Sequence, residues 1–168
     1  LSGPSAHVAA PNVAKQAGAW TSVSAQGAPL RCLLFFGGYD HTDFASVAIP
    51  WLQQTTGSQI SLIVGAGTPE EAVISARQSW EARGISVLHH VEDMPKAFLD
   101  CDALITAGGT ALLDALLLGI PTAAVATRDR QHATIAALAA RGAVLDLGLG
   151  RQALQDRLPK VATAFQPT

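Results

Sequence analysis

Charge is scarce in this chain. Lys, Arg, Asp and Glu make up 14% of its 168 residues, well below the usual share of about a quarter. The net charge of −2 comes with no basic stripe, which argues against nucleic acid as a partner. No apolar run approaches membrane-span length, and the first residues lack the basic-then-apolar pattern of a signal peptide, so no membrane span and a cytoplasmic protein are expected. Cysteine is limited to Cys32 and Cys101, each at or just before the start of a predicted strand; buried free thiols are expected.

Several familiar chemical signatures are also missing. There is no Gly-x-Gly-x-x-Gly and no Gly-x-x-x-x-Gly-Lys-Ser/Thr, so the dinucleotide fingerprint and the phosphate loop of P-loop proteins both lose ground. No His-x-x-x-His or Cys-x-x-Cys pair occurs. His89 and His90 end a predicted strand, where neighbours point to opposite faces, so they are not expected to share a metal. No serine–histidine–acid set and no poised pair of carboxylates can be argued. The expectation is a binding site with no metal, no cofactor and no catalytic residue of its own.

What is present is an ordinary apolar fraction of 49% in a chain of single-domain length. Residues 1–29 are rich in Ala, Ser, Gly and Pro without a sustained period, and are expected to be a linker or the frayed end of something larger, with residues 30–168 expected to form the domain. From Arg31 apolar strands alternate with helices. Strands are predicted at Arg31–Phe36, Ile60–Val64, Ile85–His90, Asp102–Thr106, Pro121–Ala126 and Ala143–Asp146. Helices are predicted at Thr42–Gln54 with a candidate kink at Pro50, from a Thr68–Glu71 capping box with proline at the first helical position to Arg83, and at Asp93–Asp100. Three more follow at Thr110–Leu118, Arg130–Arg141 and Gln152–Phe165. Strands without polar alternation between helices mean a parallel sheet covered on both faces. With right-handed crossovers, this is an α/β, Rossmann-like doubly wound sheet of about six strands in the order 3-2-1-4-5-6.

In such sheets ligands bind beyond the carboxyl ends of the strands, at the switch between strands 1 and 4. Gly37-Gly38 follows strand 1 and Gly108-Gly109 follows strand 4. The second pair opens a helix, whose first N–H groups and positive dipole end suit a phosphate. A plain tight turn is the other reading of Gly37-Gly38, and a helix cap the other reading of Thr110. Asp114, one turn behind Thr110, is the only polar side chain from Ala111 to Leu118. It is either a ligand for a ribose diol or a structural hydrogen-bond acceptor. His41, His132, Arg128 and Arg130 fall at the same edge, where anion contact and plain surface exposure both fit them.

Four stretches in order carry a resemblance, spanning roughly two-thirds of the chain from Leu33 to Gly148. They are Leu34-Phe35-Phe36-Gly37-Gly38-Tyr39-Asp40; Val91-Glu92-Asp93-Met94 with Cys101-Asp102-Ala103-Leu104-Ile105; Ala107-Gly108-Gly109-Thr110 through Asp114 with Leu118-Gly119-Ile120-Pro121; and Gln131, Leu138, Gly142 and Ala143. With these the chain resembles the C-terminal nucleotide-binding lobe of two-lobed (GT-B) glycosyltransferase-fold proteins. It is most similar to the pseudaminic-acid-pathway UDP-sugar hydrolase and its spore-coat polysaccharide relatives, and more distantly to the peptidoglycan N-acetylglucosaminyltransferase.

The resemblance implies a site for UDP or a UDP-sugar. The backbone around Val91 and Met94 would face the uracil, and Asp114 would take the ribose hydroxyls. Gly108, Gly109 and Thr110 would hold the diphosphate, Gly37 and Gly38 would approach the distal phosphate or sugar, and Gln131 would sit near the sugar. Two positions depart from the family pattern: Asp114 replaces a glutamate, and Tyr39 replaces a small hydroxyl residue after the first Gly-Gly. The hydrolases carry their catalytic histidine in a Gly-x-Gly-His segment of the preceding lobe, and this chain has no such segment. The implied function is the nucleotide-sugar lobe of a hydrolase or transferase in bacterial surface-glycan biosynthesis, working with an N-terminal lobe on the same or a partner chain. By itself the chain is expected to be inactive. The alternative is a non-catalytic half-domain that binds a nucleotide or docks on a partner.

Overall fold

The computed structural model describes residues 9–21, 24, 28–40 and 43–165. After a short α1 (Pro11–Ala14), strands and helices alternate: β1 (Arg31–Phe35), α2 (Phe44–Thr55), β2 (Gln59–Val64), α3 (Glu70–Glu81), β3 (Ser86–His89), α4 (Met94–Leu99) and β4 (Ala103–Ala107). The second half runs α5 (Thr110–Leu118), β5 (Thr122–Ala126), α6 (Asp129–Ala139), β6 (Leu145–Leu149), α7 (Gly150–Arg157) and α8 (Pro159–Ala164). All strand pairs are parallel, in the order β3-β2-β1-β4-β5-β6. This is the expected Rossmann-like sheet, with the switch between β1 and β4. No helix among the described residues is long and apolar enough to cross a membrane.

Burial follows strand position. The interior strands β4 and β5 are buried at every residue, and β1 at its three middle residues. The edge strand β3 alternates instead, leaving Leu88 exposed. Leu34, Ile105 and Val125 anchor the core under α2 and α7, while Leu33, Leu104 and Leu118 anchor the opposite face under α4 and α5. Cys32 and Cys101 fall into these two different clusters, both buried and free. Burial pushes the Cys101 thiol up to about 12, the Asp102 charge adding to it, and burial pushes Cys32 further still.

Several boundaries differ from expectation for identifiable reasons. Thr68 does not cap α3: Pro69 is the N-cap, with no side-chain bond, and the Thr68 N–H instead closes a turn onto Gly65 O at 3.0 Å. α2 begins after Asp43, whose carboxylate accepts the Ser46 N–H, and the helix continues through Pro50; Thr42 and His41 lie outside the described residues. The expected last helix is two, because Pro159 has no N–H with which to continue α7. β6 extends to Leu149 through a bulge in which Gly148 takes φ +83°.

Part of the glycine- and alanine-rich N-terminal segment packs on the domain. Val13 is buried against the α5 side of the sheet. The N–H groups of Gly18 and Trp20 donate to Leu117 O and Leu118 O, at 2.8 and 3.0 Å, satisfying carbonyls that the end of α5 would otherwise leave open. The Trp20 indole N–H donates to Cys101 O at 2.8 Å. Asp102, also buried, accepts from the Ser24 N–H and from the Arg31 N–H, each at 2.9 Å, and from the Ser24 hydroxyl.

Candidate functional site

At the switch point β1 and β4 end side by side, Phe35 in register with Thr106. The Thr106 hydroxyl donates to Phe35 O at 2.7 Å, filling the carbonyl left open where the chains diverge. Above this fork lie two adjoining cavities that share Phe35, Gly38, Thr110 and Ala111. The first, of about 460 Å³, is bounded by Gly37, Gly38, Tyr39, Gly109, Thr110 and Gln131, with Arg128 on its wall. The second, of about 530 Å³, is bounded by Gly38, Val91, Met94, Thr110 and Asp114 and floored by apolar Phe35, Ile63 and Phe98. Nine of the ten expected site residues therefore border one continuous cleft.

The tenth, Gly108, lies beneath it. Its N–H donates to Val125 O at 3.0 Å, and a Cβ there would meet Ile135 Cδ1 at 2.9 Å and Gln131 Cβ at 3.0 Å. Glycine at 108 thus lets α6 pack close, since a Cβ would press on Gln131 Cβ and push the end of the Ile135 side chain aside. The Gly109 N–H is also engaged, by Ala107 O at 2.8 Å. Gly109 is the N-cap of α5 and no side chain caps this helix, so Thr110 is the first helical residue and not the cap. Among the described residues no acceptor meets the N–H groups of Thr110 and Ala111. Those two, and not the glycine amides, are the donors that α5 offers to the cleft.

The flanking groups are held by their own loops. Asp93 caps α4 through the Lys96 N–H at 3.1 Å, which fixes Met94 at the helix start. Gln131 Oε1 accepts from both the N–H and the hydroxyl of Thr127, at 2.8 and 2.7 Å. Its carbonyl is therefore used in holding the β5–α6 loop, and its amide N–H groups are the part open to other partners. Arg128 and Arg130 are exposed, Arg128 as the N-cap of α6. His132 lies 4.0 Å from Asp146, which Arg157 pairs at 3.1 Å.

One piece of sequence reasoning fails here. His89 and His90 do not point apart: β3 stops at His89, His90 takes φ +54°, and the two rings lie 3.9 Å apart between centroids. Leaving the strand breaks the alternation on which the expectation rested. Even so, no group of three His, Cys, Asp or Glu among the described residues could hold a metal ion. The sequence reading also missed Thr106 and the turn Gly65-Ala66-Gly67; a Gly-x-Gly directly after β2 was the available signal for the latter.

No protein-family model matches the chain. The Bacillus subtilis (strain 168) spore coat polysaccharide biosynthesis protein SpsG is 31% identical over 88 residues, covering 52% of this chain and 26% of that protein. The chain thus spans about a quarter of the length of the curated relative it matches. The solved structure of the glycotransferase of kitacinnamycin superposes with a TM-score of 0.57 at 15% identity, over 83% of this chain and 36% of that one. The glycosyltransferase SnogD from Streptomyces nogalater gives 0.49 at 18% identity, over 85% and 41%. The 0.57 match agrees with the Rossmann-like fold described above.

Proposed function

We propose that this domain binds UDP or a UDP-sugar, as the nucleotide lobe of a hydrolase or glycosyltransferase in bacterial surface-glycan biosynthesis. The observation that carries the reading is the uncapped start of α5 at the β1/β4 switch, where two cavities meet. A diphosphate placed there receives the N–H groups of Thr110 and Ala111 and the positive end of the helix. The nucleoside then lies in the more apolar cavity, its base near Val91 and Met94 and its ribose hydroxyls at Asp114. The sugar extends past Gly37, Gly38 and Tyr39 toward Gln131. Similarity to a protein of spore coat polysaccharide biosynthesis supports the glycan setting.

The chemical contribution of this lobe is electrostatic. Fixed N–H dipoles stabilise the negative charge that grows on a departing diphosphate, and need no reorganisation to do so. Activation of the water or acceptor belongs to an N-terminal lobe, on the same polypeptide or a partner. Titration calorimetry of the chain with UDP and with GDP is expected to show weak UDP binding, with Kd on the order of 1 mM or about −4 kcal/mol. No free sugar should appear when a UDP-sugar is incubated with the chain alone. Absence of heat with either nucleotide, from protein shown to be folded, refutes the proposal.

A further inference from the structure

We infer that the β2–α3 turn, Gly65-Ala66-Gly67, is a back-plate for the Gly37-Gly38 loop, and that Gly65 is a positioning residue for the cleft. β1 and β2 are parallel neighbours with Phe35 opposite Ile63, so the loops leaving their carboxyl ends run side by side. A Cβ on Gly65 would lie 2.2 Å from Gly37 O, 2.2 Å from Gly38 O and 2.4 Å from Gly38 C. Real Cβ contacts essentially never fall below 3.0 Å, and these atoms are backbone, which cannot rotate aside as a side chain does. Gly65 is not among the glycines with positive φ. Its own conformation therefore does not demand glycine; the neighbouring loop does.

The turn also grips that loop. The Gly67 N–H donates to Gly38 O at 3.0 Å, and the Thr68 N–H closes the turn onto Gly65 O at 3.0 Å. The Gly37 carbonyl thus points toward Gly65. In a planar trans peptide the next N–H points the opposite way, so the Gly38 N–H is directed away from the turn. On that side lies the cavity bounded by Gly38, Thr110 and Arg128; Gly65 itself borders the adjoining cavity of Val91, Met94 and Asp114. The absence of a side chain at 65 thereby sets how far the Gly37-Gly38 loop stands from the start of α5. A methyl group at 65 pushes the loop toward α5 and turns the Gly38 N–H.

The ligand arm of the test rests on the nucleotide reading; the structural arm does not. Amide resonances of the whole chain are compared for wild type, Gly65→Ala, Gly67→Ala and the control Gly84→Ala. Gly67→Ala is the milder variant, since its Cβ would meet Gly38 O at 3.2 Å. Gly84→Ala places a side chain at φ +77° in open space, so it strains the backbone without touching this loop. The Gly37 and Gly38 amides should move strongly in Gly65→Ala, less in Gly67→Ala and not in Gly84→Ala. UDP affinity should fall about tenfold or more in Gly65→Ala, the loss of one hydrogen bond to a charged group, and stay constant in Gly84→Ala. If Gly65→Ala does not fold, the same displacement in Gly67→Ala decides. Unmoved Gly37 and Gly38 amides in a folded variant overturn the inference whatever UDP does. Failure of wild type to bind UDP overturns the nucleotide reading, while the amide displacements still judge the role of Gly65.

Discussion

Replacing Asp102 by alanine is expected to destabilise the folded chain by about 3–5 kcal/mol, since three donors each lose a hydrogen bond to one charged group, at about 1.5–3 kcal/mol apiece less what water restores. The carboxylate is 5% exposed and accepts the N–H groups of Ser24 and Arg31 as well as the Ser24 hydroxyl. Its own N–H donates to Arg31 O at 2.9 Å, so Asp102 and Arg31 join the starts of β4 and β1 in both directions. Removal leaves the part-buried Ser24 and Arg31 donors without this acceptor. For a domain of this length the melting temperature should fall by about 6–20 °C. Asp102→Asn keeps the shape and one acceptor oxygen, and should lose distinctly less. Thermal unfolding followed by circular dichroism checks both. A shift of only a degree or two in the alanine variant would mean that the N-terminal segment is not held through Asp102.

The second large effect concerns Asp114. It lies one turn behind Thr110 and borders the cavity shared with Val91 and Met94. If its carboxylate accepts from both ribose hydroxyls, Asp114→Ala should weaken UDP binding by about 1.5–3 kcal/mol, roughly tenfold to a hundredfold. Deoxyribose in place of ribose should then cost wild type a similar amount and cost the variant almost nothing. Melting of the ligand-free variant should stay within about 2 °C of wild type, as for a change outside the core. A variant that melts much earlier, yet binds UDP normally once folded, identifies Asp114 as a structural group and removes it from the site.

The parts of the structure legible in the sequence are those set by local pattern. Runs such as Leu33-Leu34 and Leu104-Ile105 have no polar alternation, which requires strands covered on both faces, and the sheet order follows from crossover handedness. Gly37-Gly38 and Gly108-Gly109 marked the switch because each directly follows an apolar strand. The role of Gly65 was hidden because the atoms that exclude a side chain there belong to residues 37 and 38, nearly thirty positions earlier. Gly108 was legible as a glycine but not by its cause, since the atoms that would crowd a Cβ come from Ile135 and Gln131 on α6. Val13 and Trp20 escaped notice as anchors, because single large residues in an alanine- and glycine-rich stretch carry no periodicity. The close, tilted approach of His89 and His90 depends on one positive φ that the residue types do not announce.

Whether the start of α5 receives a diphosphate is decided by titrating the isotope-labelled chain with UDP and reading each backbone amide. Saturable shifts are expected at Thr110 and Ala111, the two open donors at the start of α5, together with Gly37 and Gly38 across the cleft. Smaller shifts at Val91 and Met94 should follow the same binding curve. Shifts that leave Thr110 and Ala111 unmoved, or that cluster on Ser75, Ser79, Trp80 and Arg83 in the cavity of about 490 Å³ between α2 and α3, which shares Gly37 and Tyr39 with this cleft, would contradict this placement.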